Sequence, residues 1–101
     1  MNNTDYLHSK EILLDFSKCK YLSDVHNLIK AELELPEFYG CNLDALWDAI
    51  TGIMYVPANI KIIFKPQTSA SENLKEEIEK VIQIFKEAED EYNQLKITVE
   101  K

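Results

Sequence analysis

Three short strand-type runs, separated by segments of helical pattern, most constrain what this chain can fold into. The runs are residues 11–16, 60–64 and 95–99, with the sequences EILLDF, IKIIF and LKITV. The first is almost continuously apolar, which favours a strand buried on both faces, and the last alternates apolar and polar residues, as an edge strand does. The order strand, helix, helix, strand, helix, strand predicts an α/β fold, in which right-handed crossovers build a small three-stranded parallel sheet packed with helices.

The first two helical segments carry start and stop signals. Ser23 is a candidate N-cap for the first helix, and Pro36 is its predicted end. Asn42 is a candidate N-cap for a second helix, which runs to about Thr51 and ends at Gly52. Apolar residues at spacings of three and four predict that the first helix buries Val25, Leu28, Ile29 and Leu33.

The third helical segment is predicted to be long. It begins in residues 69–72, where a serine followed three residues later by a glutamate has the form of a capping box. Its buried face is predicted to comprise Leu74, Ile78, Val81, Ile82, Phe85, Ala88 and Tyr92. The opposite face carries acidic residues interspersed with lysines, and we interpret it as solvated: Glu76, Glu79, Glu87 and Asp90.

Length and composition indicate one domain. A chain of 101 residues with 46% apolar residues can form a single core without metals or disulfides. We expect this domain over residues 11–101, preceded by an N-terminal extension of residues 1–10. The start of the chain lacks the basic and apolar regions of a secretory signal, and no apolar run is long enough to span a membrane, so we expect a soluble cytoplasmic protein.

The net charge of −7 favours a cationic partner over nucleic acid or an anionic membrane, although acidity that serves solubility alone is the alternative. The acidity is concentrated in one segment, because no lysine or arginine lies between Lys30 and Lys61. Helical spacing in the second helix places Leu43, Leu46 and Ile50 on one side. It places Asp44, Asp48 and Thr51 on the other. Like charges at i and i+4 destabilise a helix, so the fold alone does not explain the aspartates, although an ordinary solvated face remains the alternative.

Aromatic residues adjoin these carboxylates. Trp47 lies angularly between the apolar and acidic sides, where its ring can be half buried and still reach a partner; core packing is the alternative role. Phe38 and Tyr39, in the preceding loop, are predicted to extend the same patch. Aromatic rings beside fixed charges are typical of protein interfaces.

Catalysis and metal binding are the rival interpretations. Cys41 directly precedes a helix N-terminus, which can stabilise a thiolate, and a histidine could act as its base. His26, however, lies beside an apolar stripe, where a buried histidine is the commoner case. Cys19, Cys41, His8 and His26 are scattered and form no closed ligand set. We expect free thiols, no catalytic residue, no metal and no cofactor.

The block of residues 35–52, LPEFYGCNLDALWDAITG, closely resembles the signature of the barstar family, intracellular inhibitors of barnase-type ribonucleases. Weaker similarity extends over about residues 11–101. The resemblance implies a barstar-like fold and a ribonuclease inhibitor that occludes the basic active site of a barnase-like or toxin ribonuclease, and we expect it to be monomeric when free.

The resemblance also implies roles for individual residues. Asp48 would be the dominant contact, standing in for a substrate phosphate, and Asp44 would pair with a second cationic group. Phe38 would pack against the catalytic histidine of the nuclease. The remaining partner-binding residues that it implies are Asn42, Leu43, Trp47, Thr51, Gly52 and Glu76.

Several positions depart from the family pattern. Phe38 stands where a tyrosine is usual, Ile53 where a second tryptophan is often found, and Cys41 where barstar itself is acidic. The loop of residues 65–68 is too short for an extra helix, and Glu76 aligns only loosely, with Lys75 as the alternative. A second interpretation therefore stays open, in which a barstar-like immunity or interaction module binds a different basic protein or a non-barnase toxin nuclease.

Overall fold

The computed structural model describes residues 10–53, 58–65, 70–92 and 95–101. Several expectations fall on residues outside these ranges: residues 1–9 of the N-terminal extension, which include His8, a helix start at Ser69, and residues 66–68 of the shortened loop. Lys10, the last residue of the predicted extension, is instead the first residue of a strand. Within the described ranges, no helix is long and apolar enough to cross a membrane.

The sheet is three-stranded and parallel, as the order of elements predicts. Its strands are β1 (Lys10–Asp15), β2 (Ala58–Ile63) and β3 (Leu95–Glu100), in the spatial order β1-β2-β3. In the middle of the sheet, Leu14 is opposite Ile62, and Ile62 is opposite Val99. The α/β prediction with a small three-stranded parallel sheet is confirmed.

One face of the sheet is covered and the other is open. Successive side chains of a strand point to opposite faces, and the covered face carries Ile12, Leu14, Ile60, Ile62, Leu95 and Ile97, all buried. The other face carries exposed residues: Glu11, Leu13, Asn59, Lys61, Lys96 and Thr98. The prediction that β1 is buried on both faces is therefore wrong. In the described part of the chain β1 is an edge strand, and Leu13 is 48% exposed.

The first helix, α1 (Leu22–Glu32), starts and stops at different residues from those predicted. Its N-terminus is capped by Asp24, whose Oδ2 accepts hydrogen bonds from the backbone N–H groups of Lys20 at 2.9 Å and Tyr21 at 3.0 Å. Ser23 therefore lies inside the helix. The helix ends before Pro36, because Glu34 adopts a left-handed φ of 54°.

Two hydrogen bonds close this helix end. The N–H of Leu35 donates to the Lys30 carbonyl at 2.9 Å, and that of Glu34 donates to the Ala31 carbonyl at 3.3 Å. This pair of bonds is the Schellman arrangement, which normally uses glycine at the left-handed position. The chain thus turns sharply into the loop of residues 35–42.

The second helix, α2 (Leu43–Asp48), begins at its predicted cap: Asn42 Oδ1 accepts the Ala45 N–H at 2.8 Å. Beyond Asp48 the chain widens into a π-helical turn (Ala49–Ile53). Gly52 lies inside this turn and has no positive φ, so the prediction that it ends the helix is wrong. The wider hydrogen-bonded ring continues the helical path past the glycine.

The third helix, α3 (Glu72–Glu91), is capped by Ser71, whose Oγ accepts the Leu74 N–H at 3.1 Å. The predicted stripe is buried at Leu74, Ile78, Val81, Phe85 and Ala88, and Ile82 is partly buried. Tyr92 is an exception, because it follows the last helical residue and is 45% exposed. The stripe packs into the same core as the covered face of the sheet, and α3 also contacts α1 and α2.

Candidate functional site

The acidic side of α2 is oriented as helical spacing predicts. Asp44 and Asp48 are exposed, whereas Leu46 and Ile50 are buried in the core, and Leu43 is partly buried against it. The buried side chains and the Asn42 cap fix the helix to the body of the protein. The two carboxylates are therefore carried on an anchored element.

Among the residues that the structure describes, none binds the carboxylate of Asp44 or Asp48. Within the described ranges, Asp44 and Asp48 form no hydrogen bond and no ion pair through their side chains. Asp44 lies in the first turn, where the helix dipole favours a negative charge, but Asp48 lies at the last residue of α2 and gains little from it. The nearest lysine before α2 in the sequence, Lys30, is bonded to Glu37 at 3.0 Å.

Trp47 and the π-helical turn border the aspartates. Trp47 is half-buried and packs against the core, as its position predicts. Thr51 is partly buried, and its Oγ1 donates to the Trp47 carbonyl at 2.7 Å, a bond that joins the turn to α2. Gly52 is exposed, and a Cβ built on it would meet no described atom within 4 Å. The described part of the structure thus gives no reason for a glycine at this position.

The loop before α2 presents one aromatic ring outward and the next inward. Phe38 is 80% exposed, whereas Tyr39 is only 6% exposed. The prediction that both extend the surface patch is wrong for Tyr39, because its hydroxyl is hydrogen-bonded at 2.9 Å to Nδ1 of His26 in the core.

His26 is a buried core histidine, as the apolar stripe suggests. Its Nε2 lies 2.7 Å from Oε2 of Glu77, on α3. Sequence reasoning did not identify Tyr39 and Glu77 as its partners. The only local signal for Glu77 is its place beside Ile78, at the border of the α3 stripe.

Two further predicted binding residues have particular positions. The Asn42 side chain is committed to the loop and helix: besides capping α2, its Nδ2 donates to the Gly40 carbonyl at 3.3 Å. Glu76 is exposed on α3. The residue after it, Glu77, lines a surface pocket with Cys41, which places this part of α3 near the start of α2.

Of the four candidate catalytic residues, Cys19, His26 and Cys41 lie in the described ranges and are not arranged for catalysis. Both cysteines are free thiols, Cys19 buried and Cys41 exposed. Burial raises the pKa of the Cys19 thiol to about 11, which keeps it protonated at neutral pH. Both ring nitrogens of His26 already contact Tyr39 and Glu77, so neither is available as a base for Cys41. Within the described part of the chain, no three histidine, cysteine or acidic residues cluster as metal ligands would.

A family model described as Barstar (barnase inhibitor) matches residues 9–100. The chain belongs to the barstar family. A relative from Bacillus subtilis (strain 168), named "Putative ribonuclease inhibitor YrdF", is 29% identical to this chain over 92 residues. The aligned residues cover 90% of this chain and 99% of the relative. Both findings support a ribonuclease-inhibitor role for this barstar-family chain, and the family is one of inhibitors rather than enzymes.

Proposed function

We propose that this barstar-family chain inhibits a basic ribonuclease by covering its active site with α2 and the loop of residues 35–42. One observation carries the proposal. Asp44 and Asp48 are exposed on a helix anchored in the core, and within the described ranges the protein offers them no partner of its own. Carboxylates held in this way are suited to bind cations on another molecule.

A ribonuclease active site supplies such cations, since it must bind the phosphates of RNA. In the proposed complex the Asp48 carboxylate takes the place of a phosphate and accepts charge-assisted hydrogen bonds from the nuclease. Asp44, one helical turn earlier, pairs with a second cationic group. Because α2 is already fixed, little conformational entropy is lost when the pairs form.

The residues around the aspartates supply the apolar part of the proposed interface. Phe38 and Trp47 contribute aromatic surface, and in the proposed complex Phe38 packs on an imidazole of the nuclease; its 80% exposure supports this role. Gly52 permits close approach of the partner, which would account for a glycine that the fold itself does not require. Asn42, Leu43, Thr51 and Glu76 complete the proposed surface.

The family resemblance supports a cytoplasmic location for the protein, in which it protects the producing cell from its own nuclease, and a monomeric free state. Phe38 and Cys41, the two loop residues that depart from the family pattern, are both exposed. The partner is therefore proposed to be a barnase-like nuclease or a toxin nuclease of another class, with these two side chains contributing to the choice.

The direct test measures RNA cleavage by barnase, and by ribonucleases encoded in the same genome, with and without this protein. The wild type is expected to abolish cleavage at stoichiometric concentrations. Asp48→Ala is expected to weaken inhibition more than a hundredfold, because removing one member of a buried charge pair costs about 3–5 kcal/mol. Asp90→Ala, at an exposed aspartate of α3, is the matched control and should inhibit like the wild type.

Equal inhibition by the wild type and Asp48→Ala would contradict the proposed site. Failure of every nuclease tested to bind, alongside capture of a basic protein without nuclease activity, would contradict the proposed function. Association rates give a second measurement. Since salt screens exposed charges, the association rate should fall as ionic strength rises from about 0.01 to 0.15 M.

A further inference from the structure

Three separate segments meet at one buried histidine. His26 lies on α1, Tyr39 in the loop of residues 35–42, and Glu77 on α3. The two hydrogen-bond contacts of the imidazole measure 2.9 Å to the Tyr39 hydroxyl and 2.7 Å to the Glu77 carboxylate. The loop is thereby tied through one ring to both helices.

The chemistry of the three groups limits which atoms can donate. A carboxylate only accepts, so the Glu77 contact requires a hydrogen on Nε2 of His26. In a neutral imidazole Nδ1 is then an acceptor, which the Tyr39 O–H satisfies. Burial raises the pKa of the Tyr39 hydroxyl, so it keeps the proton that it donates. Within the described ranges, no buried side-chain nitrogen or oxygen lacks a partner, so this network is complete.

Other bonds hold the loop on either side of Tyr39. The Tyr39 N–H donates to the Pro36 carbonyl at 3.0 Å, and Glu37 is bonded to Lys30 on α1. The Gly40 carbonyl accepts from Asn42, which in turn caps α2. Phe38, directly before Tyr39, is 80% exposed and none of these side-chain bonds holds it.

We infer that His26 and Tyr39 are positioning residues for the partner-binding loop: their hydrogen bond fixes the direction of Phe38 without either residue touching the partner. The inference rests on the proposed function. A preformed loop binds more tightly because its ordering does not have to occur on association. Loosening the Tyr39 anchor should therefore weaken binding even though the contact surface is unchanged.

The experiment uses Tyr39→Phe, which deletes the hydroxyl and keeps the buried ring. The dissociation constant for the nuclease that the wild type inhibits is expected to rise about three- to tenfold, the range expected for ordering one to two side chains. Ile60→Val, in the central strand, is the control for lost stability. It should lower the thermal unfolding midpoint without changing the dissociation constant.

A double-mutant cycle separates positioning from general destabilisation. In a Phe38→Ala background, Tyr39→Phe should change the dissociation constant by no more than about twofold, because the ring whose direction it sets is gone. In a His26→Ala background, Tyr39→Phe should likewise have little further effect. A partner-free readout is hydrogen exchange: the amide at position 39, bonded to Pro36, should exchange faster in Tyr39→Phe and not in Ile60→Val.

The outcomes distinguish this inference from the proposed function. Inhibition by the wild type, its loss in Asp48→Ala, and unchanged affinity in Tyr39→Phe would overturn the positioning role alone. Equal costs of Tyr39→Phe with and without Phe38 would also overturn it. Absence of binding by the wild type overturns the proposed function, and the exchange measurement then still tests whether the hydrogen bond orders the loop.

Discussion

Two groups of carboxylates in this protein differ in whether the fold binds them. In one group, backbone N–H groups, a hydroxyl or lysines bind the carboxylate and lower its pKa; the members are Asp15, Asp24, Glu89 and Glu100. In the other group, the α2 side chains of Asp44 and Asp48 have no such partner within the described ranges.

Exposure alone does not distinguish the second group. Glu79 and Asp90 on α3 are also exposed, but that helix carries Lys75, Lys80 and Lys86 along its length. No lysine or arginine lies between Lys30 and Lys61. The α2 carboxylates thus differ from the exposed carboxylates of α3 by the absence of lysine and arginine from the surrounding sequence, and a cationic partner would supply the missing positive charge.

The sharpest test of this comparison replaces both aspartates. In Asp44→Asn/Asp48→Asn, binding to the nuclease should fall by more than a hundredfold, since breaking a buried charge pair costs about 3–5 kcal/mol. The stability of the free protein should change by less than about 1 kcal/mol, because removal of the i,i+4 repulsion, about 0.2–0.5 kcal/mol, opposes the loss of the Asp44 charge from the helix N-terminus. Urea unfolding and titration calorimetry measure the two effects. A large loss of stability would show that the fold does use these carboxylates.

A substitution at Gly52 is expected to have opposite effects on stability and on binding. Gly52→Ala should stabilise the free protein by up to about 1 kcal/mol, since alanine is the better helical residue and its Cβ would meet no described atom. In the complex the same methyl group should cost about 1–3 kcal/mol of binding, the usual penalty for overfilling a packed contact. Increased stability with unchanged affinity would place the π-helical turn outside the interface.

The residue pattern within one short segment was sufficient to predict α2 and the outward direction of its two carboxylates. Helical spacing placed Asp44 and Asp48 opposite Leu46 and Ile50, and Asn42 is the cap that its position suggests. These features depend on residues within one or two turns of one another. The strand runs and the α3 stripe were equally local, and the structure places them close to their predicted bounds.

The wrong predictions concern features that depend on residues far apart in the sequence, or on a choice among several candidate caps. Tyr39 points inward because of His26, 13 residues earlier, and His26 in turn contacts Glu77, 51 residues later. Neither separation leaves a periodic signal. Several polar residues near the start of the first helix could serve as its cap, and Asp24 does so rather than Ser23; the cap of α3 is Ser71. An apolar run such as β1 also does not reveal whether a second layer covers it.

The carboxylates that the fold binds lead to a prediction about the stability of the protein in acid. The pKa of Glu89 lies below its ordinary 4.5, chiefly because the Ile97 N–H donates to it at 2.9 Å, with Lys86 contributing. Its stabilisation is therefore fully present above that ordinary value and is lost as the pH falls through the lowered pKa. Glu89→Gln should destabilise by about 1 kcal/mol at pH 7 and by less below about pH 4.

Glu79→Gln is the control for this measurement, because Glu79 is exposed on the same helix and has no partner within the described ranges. Its unfolding free energy should follow that of the wild type over the same pH range. A Glu89→Gln curve parallel to the wild-type curve would show that the bond between α3 and β3 does not depend on charge. The two groups of carboxylates would then differ less than the structure indicates.

The smallest effect is expected at Glu76, which neighbours a carboxylate that the fold binds. It lies on α3 beside Glu77, which serves the fold, but is itself exposed. Glu76→Ala should raise the dissociation constant by up to about fivefold, since exposed charge pairs contribute about 0.2–1 kcal/mol. Glu87→Ala, about three helical turns further along the same helix, is the matched comparison. A larger loss at Glu87 would move the outlying contact to that end of α3, and equal, negligible losses would confine the proposed interface to α2 and its loop.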